Sequence, residues 1–540
     1  MKAIVPGLAL SLVACAGGGA DSPGNNVSFG GAQDIGEFRG ILDRGEIPGP
    51  DTLDANGFFN EHFNAPAPAT CGGTLCLVPG LTLAHDWLGG EFQRTLQIAV
   101  ESTIDPTTVQ RLPMNLVLVI DHSGSMASDG RLDKVKAGLD TMIDNLQPDD
   151  QLAIVSFDDT VTINTTFTAD HAVLHGIVAE LQPGGGTNIF DGLQAGFDQL
   201  GDAPSSERQN RVIFLSDGLA TAGDTLQSDI IDMATQRIER GIGLTTIGVG
   251  DEFDVELMRG LAERGAGNFY YVEDGTAATE VFTEELDYFL TPIALDLHIT
   301  ANSADGWSFS ESAGSRLWQE TPTTGAMSIP AAFVASRTSQ GGEQGRRGGG
   351  SMIFIHLEPT THNSGNVANL QLSYRAPGST ETVTDNVTLD YGRDPQEELA
   401  DPFLSSTEMA ERFGMYNAYV GLRMATQLAQ TDYNCAAAVL QSTRANAAAW
   451  NAEHGNDPDL AADVTLMDSF LANLREKGAI TGTPLSSCPN AGEPLWGAGE
   501  DNWGQPQYGG LACSTGEKPA GWLVILGAVL VALRRRQRRQ

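Results

Sequence analysis

Apolar positions between residues 113 and 292 follow two periods that alternate along the chain. Short unbroken apolar runs at 116–120, 152–157, 161–167, 212–215, 244–249 and 269–272 have the length and content of strands. Most are separated by stretches with helical spacing, at 132–146, 171–181, 189–200, 230–240, 255–264 and 277–290. In the first of these, Val135, Leu139, Met142, Ile143 and Leu146 fall on one helix face. Strands alternating with helices predict an α/β fold: a doubly wound, mostly parallel, Rossmann-like sheet covered by helices on both faces. Only Asp158, Asp159 and Thr160 separate the second and third runs, which predicts one antiparallel hairpin at a sheet edge.

The pattern changes on either side. Residues 65–112 and 293–395 predict β-rich flanking regions. In the latter, alternation such as Leu295, Leu297, Ile299 and Leu370, Leu372, Tyr374 comes with glycine-rich turns. Residues 396–480 are rich in Ala, Leu and Met and predict a helical region. Upstream, 33–64 holds an amphipathic turn beginning at Asp34 and stopping at Gly45, Glu46, Ile47 and Pro48, then a second apolar patch of Phe58, Phe59 and Phe63. The stretch 341–350 reads as a flexible loop rather than a phosphate cradle, because no strand-to-helix context surrounds it. Residues 481–518, rich in Gly, Pro, Asn and Trp, read as a linker.

The polar residues that end the apolar runs carry the chemistry. Asp121, Ser123 and Ser125 follow the run 116–120 at alternate positions, Thr187 closes the glycine loop 183–188, and Asp217 lies just beyond the run 212–215. Carboxylates and hydroxyls on loops leaving strands can converge on one hard cation. Magnesium prefers near-octahedral oxygen ligands and keeps some waters, whereas His and Cys suit softer metals. In an open parallel sheet, ligands gather at the carboxyl ends of the strands. Any one of these residues could instead cap a helix or make a turn; five in this order point to a metal site. Asp191, after the threonine loop, reads as a cap or a supporting group.

This set resembles the metal-ion-dependent adhesion site of von Willebrand factor type A domains, and all five positions match. The resemblance implies Ser123, Ser125 and Thr187 as direct ligands, with Asp121 and Asp217 acting largely through water. It also implies an open coordination position for an Asp or Glu of a protein partner, and Mg²⁺, or another divalent cation such as Ca²⁺ or Mn²⁺, as the ion. The flanks, with the 34–48 segment, a β-rich region and a helical region, resemble a bacterial von Willebrand family described as YfbK-like. The likeness is specific in the A domain, 113–292, and looser outside it.

The chain ends supply an address. Residues 1–15 resemble a lipoprotein signal, with Leu12, Val13, Ala14 and Cys15 as a lipobox in which Cys15 is acylated, followed by a tether over 16–32. Ala14, Cys15 and Ala16 also satisfy ordinary signal cleavage, and either reading exports the body. At the other end, 521–533 is apolar and abuts Arg534, Arg535 and Arg536. At about 1.5 Å per residue it reaches roughly 20 Å, short of a roughly 30 Å hydrocarbon core. The tail 519–540 with Cys513 resembles the sorting tails of myxobacterial surface proteins; a plain stop-transfer anchor is the alternative, and arginines stay cytoplasmic in both. If Cys15 and Cys513 serve processing, Cys71 with Cys76 and Cys435 with Cys488 are the natural disulfides in an exported chain, although spacing does not prove connectivity. Zinc is the rival for those cysteines, but no His accompanies them at ligand spacing.

Composition narrows the function. The 540 residues carry a net charge of −38, and lysine occurs in the body only at Lys134, Lys136, Lys477 and Lys518. A nucleic-acid partner is disfavoured, since phosphate neutralisation needs a basic face. Catalysis is not expected: Ser123 lies in no Gly-x-Ser-x-Gly elbow, and His122 beside it points to the opposite side of the strand end. The expectation is an exported, membrane-associated envelope protein that binds an acidic group on a protein partner through a divalent cation. The alternatives are an envelope scaffold with a purely structural ion and a subunit of an ATPase-driven complex, which export disfavours because such machines are cytoplasmic.

Overall fold

The computed structural model describes residues 25–488, apart from 65, 67–70, 105–111, 203, 206, 251–252, 273–280, 283–290, 336, 338–346 and 481. The chain divides into two units, Met1–Trp496 and Gly497–Gln540, and every described residue belongs to the first. The expected signal, most of the tether, the linker beyond 488, the tail, Cys15, Cys513 and most of the 277–290 helix lie outside the described residues.

The strands are β1 (Asn25–Ser28), β2 (Gly31–Ala32), β3 (Leu75–His85), β4 (Phe92–Ser102), β5 (Met114–Asp121), β6 (Gln151–Phe157), β7 (Val161–Thr168), β8 (Gln209–Ser216), β9 (Gly243–Val249) and β10 (Asn268–Val272). They continue as β11 (Ala294–Ser303), β12 (Trp307–Ala313), β13 (Gln319–Glu320), β14 (Thr324–Val334), β15 (Met352–Pro359), β16 (Gly365–Arg375), β17 (Thr382–Tyr391) and β18 (Phe403–Leu404). The helices are α1 (Gly36–Asp43), α2 (Ala55–Asn60), α3 (Arg131–Asp144), α4 (His171–Glu180), α5 (Ile189–Leu200), α6 (Gln227–Ile238), α7 (Val255–Arg264), α8 (Met409–Ala429), α9 (Tyr433–Glu453) and α10 (Pro458–Glu476).

Among the described residues, seven strands form one sheet in the order β2-β10-β9-β8-β5-β6-β7. All neighbours pair in parallel except β6 and β7, whose turn sets Phe157 opposite Val161 as the sequence predicts. Strand β5 lies between β6 and β8, with Leu118 level with Ile154 and Ile213. A strand covered on both faces has no polar side, which is why 116–120 reads as an unbroken apolar run. Leu116, Leu118 and Ile120 pack with Val135, Leu139 and Ile143 of α3, while Val117 and Val119 pack with Leu193 and Phe197 of α5. Helix α5 presses close: a Cβ on Gly196 would stand 2.2 Å from Val119 Cγ2.

Among the described residues, eleven strands form the second sheet, whose main path is β12-β15-β4-β1-β14-β11-β16-β17. It joins strands from 65–112 to strands from 293–395, two stretches that the sequence treats separately. Its core includes Val27, Leu81, Ile98, Ile299, Ile353 and Leu372. Helices α1, α2, α8, α9 and α10 share a third core, in which Phe38 meets Phe470 edge to face at 5.9 Å.

The end of the expected tether is structural. Residues 25–28 form β1, which pairs with β4 and β14, and residues 31–32 form β2, which extends the parallel sheet beside β10. Among the described residues there are two disulfides, Cys71–Cys76 and Cys435–Cys488, the pairs expected from the sequence. Among the described residues no helix is long and apolar enough to cross a membrane.

Candidate metal centre

The carboxyl end of β5 delivers Asp121 to the top of the sheet. Its Oδ1 accepts from the Ser123 amide at 2.8 Å, and its Oδ2 accepts from the Ser216 hydroxyl at 2.6 Å. Both oxygens are thereby aimed, and Asp121 caps no helix: α3 begins instead from Gly130, in the left-handed region at φ 65°. Beyond Asp121 the chain makes 3₁₀ turns over Gly124–Gly130. These bring the Ser123 and Ser125 hydroxyls to 3.0 Å from each other, and Ser125 donates to Asp217 Oδ1 at 2.7 Å.

The glycine loop completes the group. Gly124 N–H donates to the Gly185 carbonyl at 3.1 Å, and Gly184 N–H donates to the His122 carbonyl at 2.8 Å, so the two loops are tied together. The Thr187 amide donates to Thr221 Oγ1, and its carbonyl accepts from the Thr221 and Ala222 amides, which ties in the loop after β8. A Cβ on Gly218 would lie 3.4 Å from Thr187 Oγ1 and 3.6 Å from Ser125 Oγ, so both hydroxyls face the bare Gly218 backbone. Asp121, Ser123, Ser125, Thr187 and Asp217 are therefore gathered at one junction of three loops. Asp121 and Asp217 are 0% exposed and Thr187 only 4%.

Electrostatics mark the same spot. Burial pushes Asp121 up to about 6, against hydrogen bonds from Ser216 and Ser123, and the nearby Asp217 charge adds to the rise. Arg131, at the start of α3, donates from Nη1 to Asp217 Oδ2 at 3.0 Å, and both side chains are buried. Three hydroxyls and two carboxylates form an all-oxygen donor set, the chemistry that a magnesium-sized cation accepts. Among the described residues no three His, Cys, Asp or Glu side chains gather as a metal-ligating group.

Other sequence candidates fall outside this group. His122 turns its Nδ1 to the Gln182 carbonyl at 2.9 Å. Asn188 caps α5 by accepting from the Asp191 amide, and its own amide donates to Asp191 Oδ2, so Asp191 supports the helix start. Sequence reasoning missed Ser216 and Arg131. Ser216 abuts Asp217 and had a positional signal, whereas nothing local to Arg131 announces its partner 86 residues away.

The fold and the site define a class. The family model for the von Willebrand factor type A domain matches residues 115–284, so the chain carries a domain of that type. Such domains commonly mediate metal-dependent protein interactions and are typically not enzymes. Among curated proteins the chain is similar to the sll0103 protein of Synechocystis, 31% identical over 195 residues that cover 36% of this chain and 45% of that one. It is also similar to YfbK of Escherichia coli, 28% identical over 219 residues covering 40% of this chain and 38% of the relative. The chain thus spans less than half the length of these two relatives. Among solved structures, a von Willebrand factor type A protein from Catenulispora acidiphila aligns with 74% of this chain and 89% of its own, at 15% identity and a TM-score of 0.47.

Proposed function

We propose that this protein binds a divalent cation, Mg²⁺ in the first instance, and uses it to capture an acidic side chain of a protein partner. Ser123, Ser125 and Thr187 hold the ion directly; Asp121 and Asp217 hold it largely through water. The observation that carries this reading is the convergence of those five side chains from three loops onto one all-oxygen junction. Charge bookkeeping supports an anionic sixth ligand. Asp121 and Asp217 contribute two negative charges and Arg131 one positive charge, so a divalent ion leaves the centre with a net charge of +1. A carboxylate from the partner neutralises it. The signal-like start and sorting-like tail of the sequence support an exported setting in the cell envelope for this capture.

The test starts from the metal alone. Titration calorimetry with Mg²⁺ and Mn²⁺ should show one site, and Asp121→Ala should abolish it. Because the ion binds the folded form, saturating metal at about a hundred times Kd should stabilise the protein by about 2.7 kcal/mol, an effect that EDTA reverses. Equal melting temperatures with Mg²⁺ and with EDTA would sink the proposal. Stabilisation by metal without any metal-dependent capture of carboxylate peptides would favour the envelope scaffold with a structural ion.

A further inference from the structure

The loops around the candidate centre carry a charge pattern that the donor set does not use. Asp129 and Asp159 are exposed, and Asp158 and Asp224 are partly so. All four lie on the loops that build the site or on the β6–β7 turn packed against them. The Asp158 and Asp159 carboxylates lie against Gly185, where an added Cβ would come within 2.7 Å of Asp158 Oδ2 and 2.4 Å of Asp159 Oδ1. The Gly185 carbonyl in turn accepts from the Gly124 amide between the two site serines. Asp129 belongs to the serine loop itself, at φ 50°. Asp224 follows Ala222, whose amide donates to the Thr187 carbonyl. Across 122–130, 158–160, 182–188 and 217–226 there is no Lys or Arg, and His122 is the one side chain able to carry positive charge. Arg131 follows directly, but its guanidinium is buried against Asp217.

The centre thus offers one attractive point for an anion inside a negative rim, on a chain whose net charge is −38. A broadly acidic partner would be repelled before its carboxylate arrived. We propose that the partner segment is basic: one Asp or Glu that reaches the ion, flanked by Lys or Arg side chains that meet the aspartate rim. Leu219 and Leu226 are both exposed in the loop after β8. They give the aliphatic stems of those basic side chains a surface to cover while their heads reach the carboxylates. Electrostatic complementarity of this kind acts on encounter rate and on rejection of wrong partners more than on total affinity. This inference rests on the cation-dependent capture proposed above.

The experiment uses the full chain with Mg²⁺ and short peptides that carry one central aspartate, flanked by lysines in one and by glutamates in the other. The lysine-flanked peptide should bind about tenfold tighter or more at low salt, with the preference shrinking as added salt shortens the screening length. Binding should vanish with EDTA and when the central aspartate becomes asparagine. Asp129→Asn combined with Asp159→Asn should reduce the preference severalfold. Equal, metal-dependent binding of both peptides would overturn the basic-segment proposal and leave cation-dependent capture standing. Lysine-peptide binding that persists in EDTA would overturn it as plain charge attraction. No metal-dependent binding of either peptide would overturn both.

Discussion

Arg131 is the residue whose removal says most about the centre. Its guanidinium neutralises Asp217 inside the protein, so Arg131→Met leaves a buried carboxylate without that partner. Breaking a buried ion pair from one side commonly costs about 3–5 kcal/mol. A divalent cation would return part of that charge balance. The expected outcome is a lower melting temperature in EDTA together with a larger Mg²⁺-induced rise than in the unaltered protein. An unchanged Mg²⁺ increment would separate Arg131 from the cation site. The contrast with the five candidate residues explains what is legible at this scale. Asp121, Ser123 and Ser125 are close in the chain, and Thr187 and Asp217 stand at strand and loop ends, so local pattern suffices to nominate all five as candidates. Ser216 reaches Asp121 across 95 residues and Arg131 reaches Asp217 across 86, and pairings of that range leave no periodic trace.

Secondary elements with a full period are legible nearly to the residue: 189–200 and 255–264 are the helices Ile189–Leu200 and Val255–Arg264. Residues 25–32 are not, because strands of four and two residues with adjacent glycines carry no alternation to detect. Their signal is tertiary. Gly30 and Gly31 both have positive φ, 81° and 80°, which lets the chain leave one sheet and enter the other within two residues. The Asn56 amide then holds the Gly30 and Ala32 carbonyls, and Arg347 is buried against Asp34 just beyond. A Cβ on Gly30 would come within 2.6 Å of the Gly267 carbonyl oxygen. Gly30→Val should therefore cost on the order of 1–3 kcal/mol in backbone strain, with further loss from the clash. Urea unfolding would measure the cost. Hydrogen exchange should quicken first at the β2 and β10 amides if the crossing segment secures that sheet edge; uniform quickening would argue against it.

Across the whole molecule, Glu263, Glu37, His62 and the net charge all lower stability as pH rises, while His356, which burial lowers to about 4, opposes them below its usual 6.5. Burial raises Glu263 to about 7, against the pull of Arg316 and Arg259, and burial likewise raises Glu37 to about 7. A carboxyl that holds its proton more tightly when folded destabilises the native state as pH climbs from its usual 4.5 towards 7. His62 works at higher pH. Burial alone would lower it, but Asp463 at 2.8 Å outweighs that and lifts it to about 9. Its contribution is complete below the usual 6.5 and is lost as pH rises through 9. Self-repulsion from a net charge of −38 also grows as the remaining acids ionise. Stability in EDTA should therefore be highest in mildly acidic buffer and fall continuously towards pH 9, with added salt raising the alkaline limb more than the acidic one. Glu263→Gln should flatten the fall below neutrality. His62→Gln should flatten the fall above it, while lowering stability at neutral pH because the turn after α2 loses its His62–Asp463 pair to α10. Urea midpoints across this pH range would decide the matter: a midpoint that rises from mildly acidic to alkaline buffer would mean that these buried groups do not govern stability.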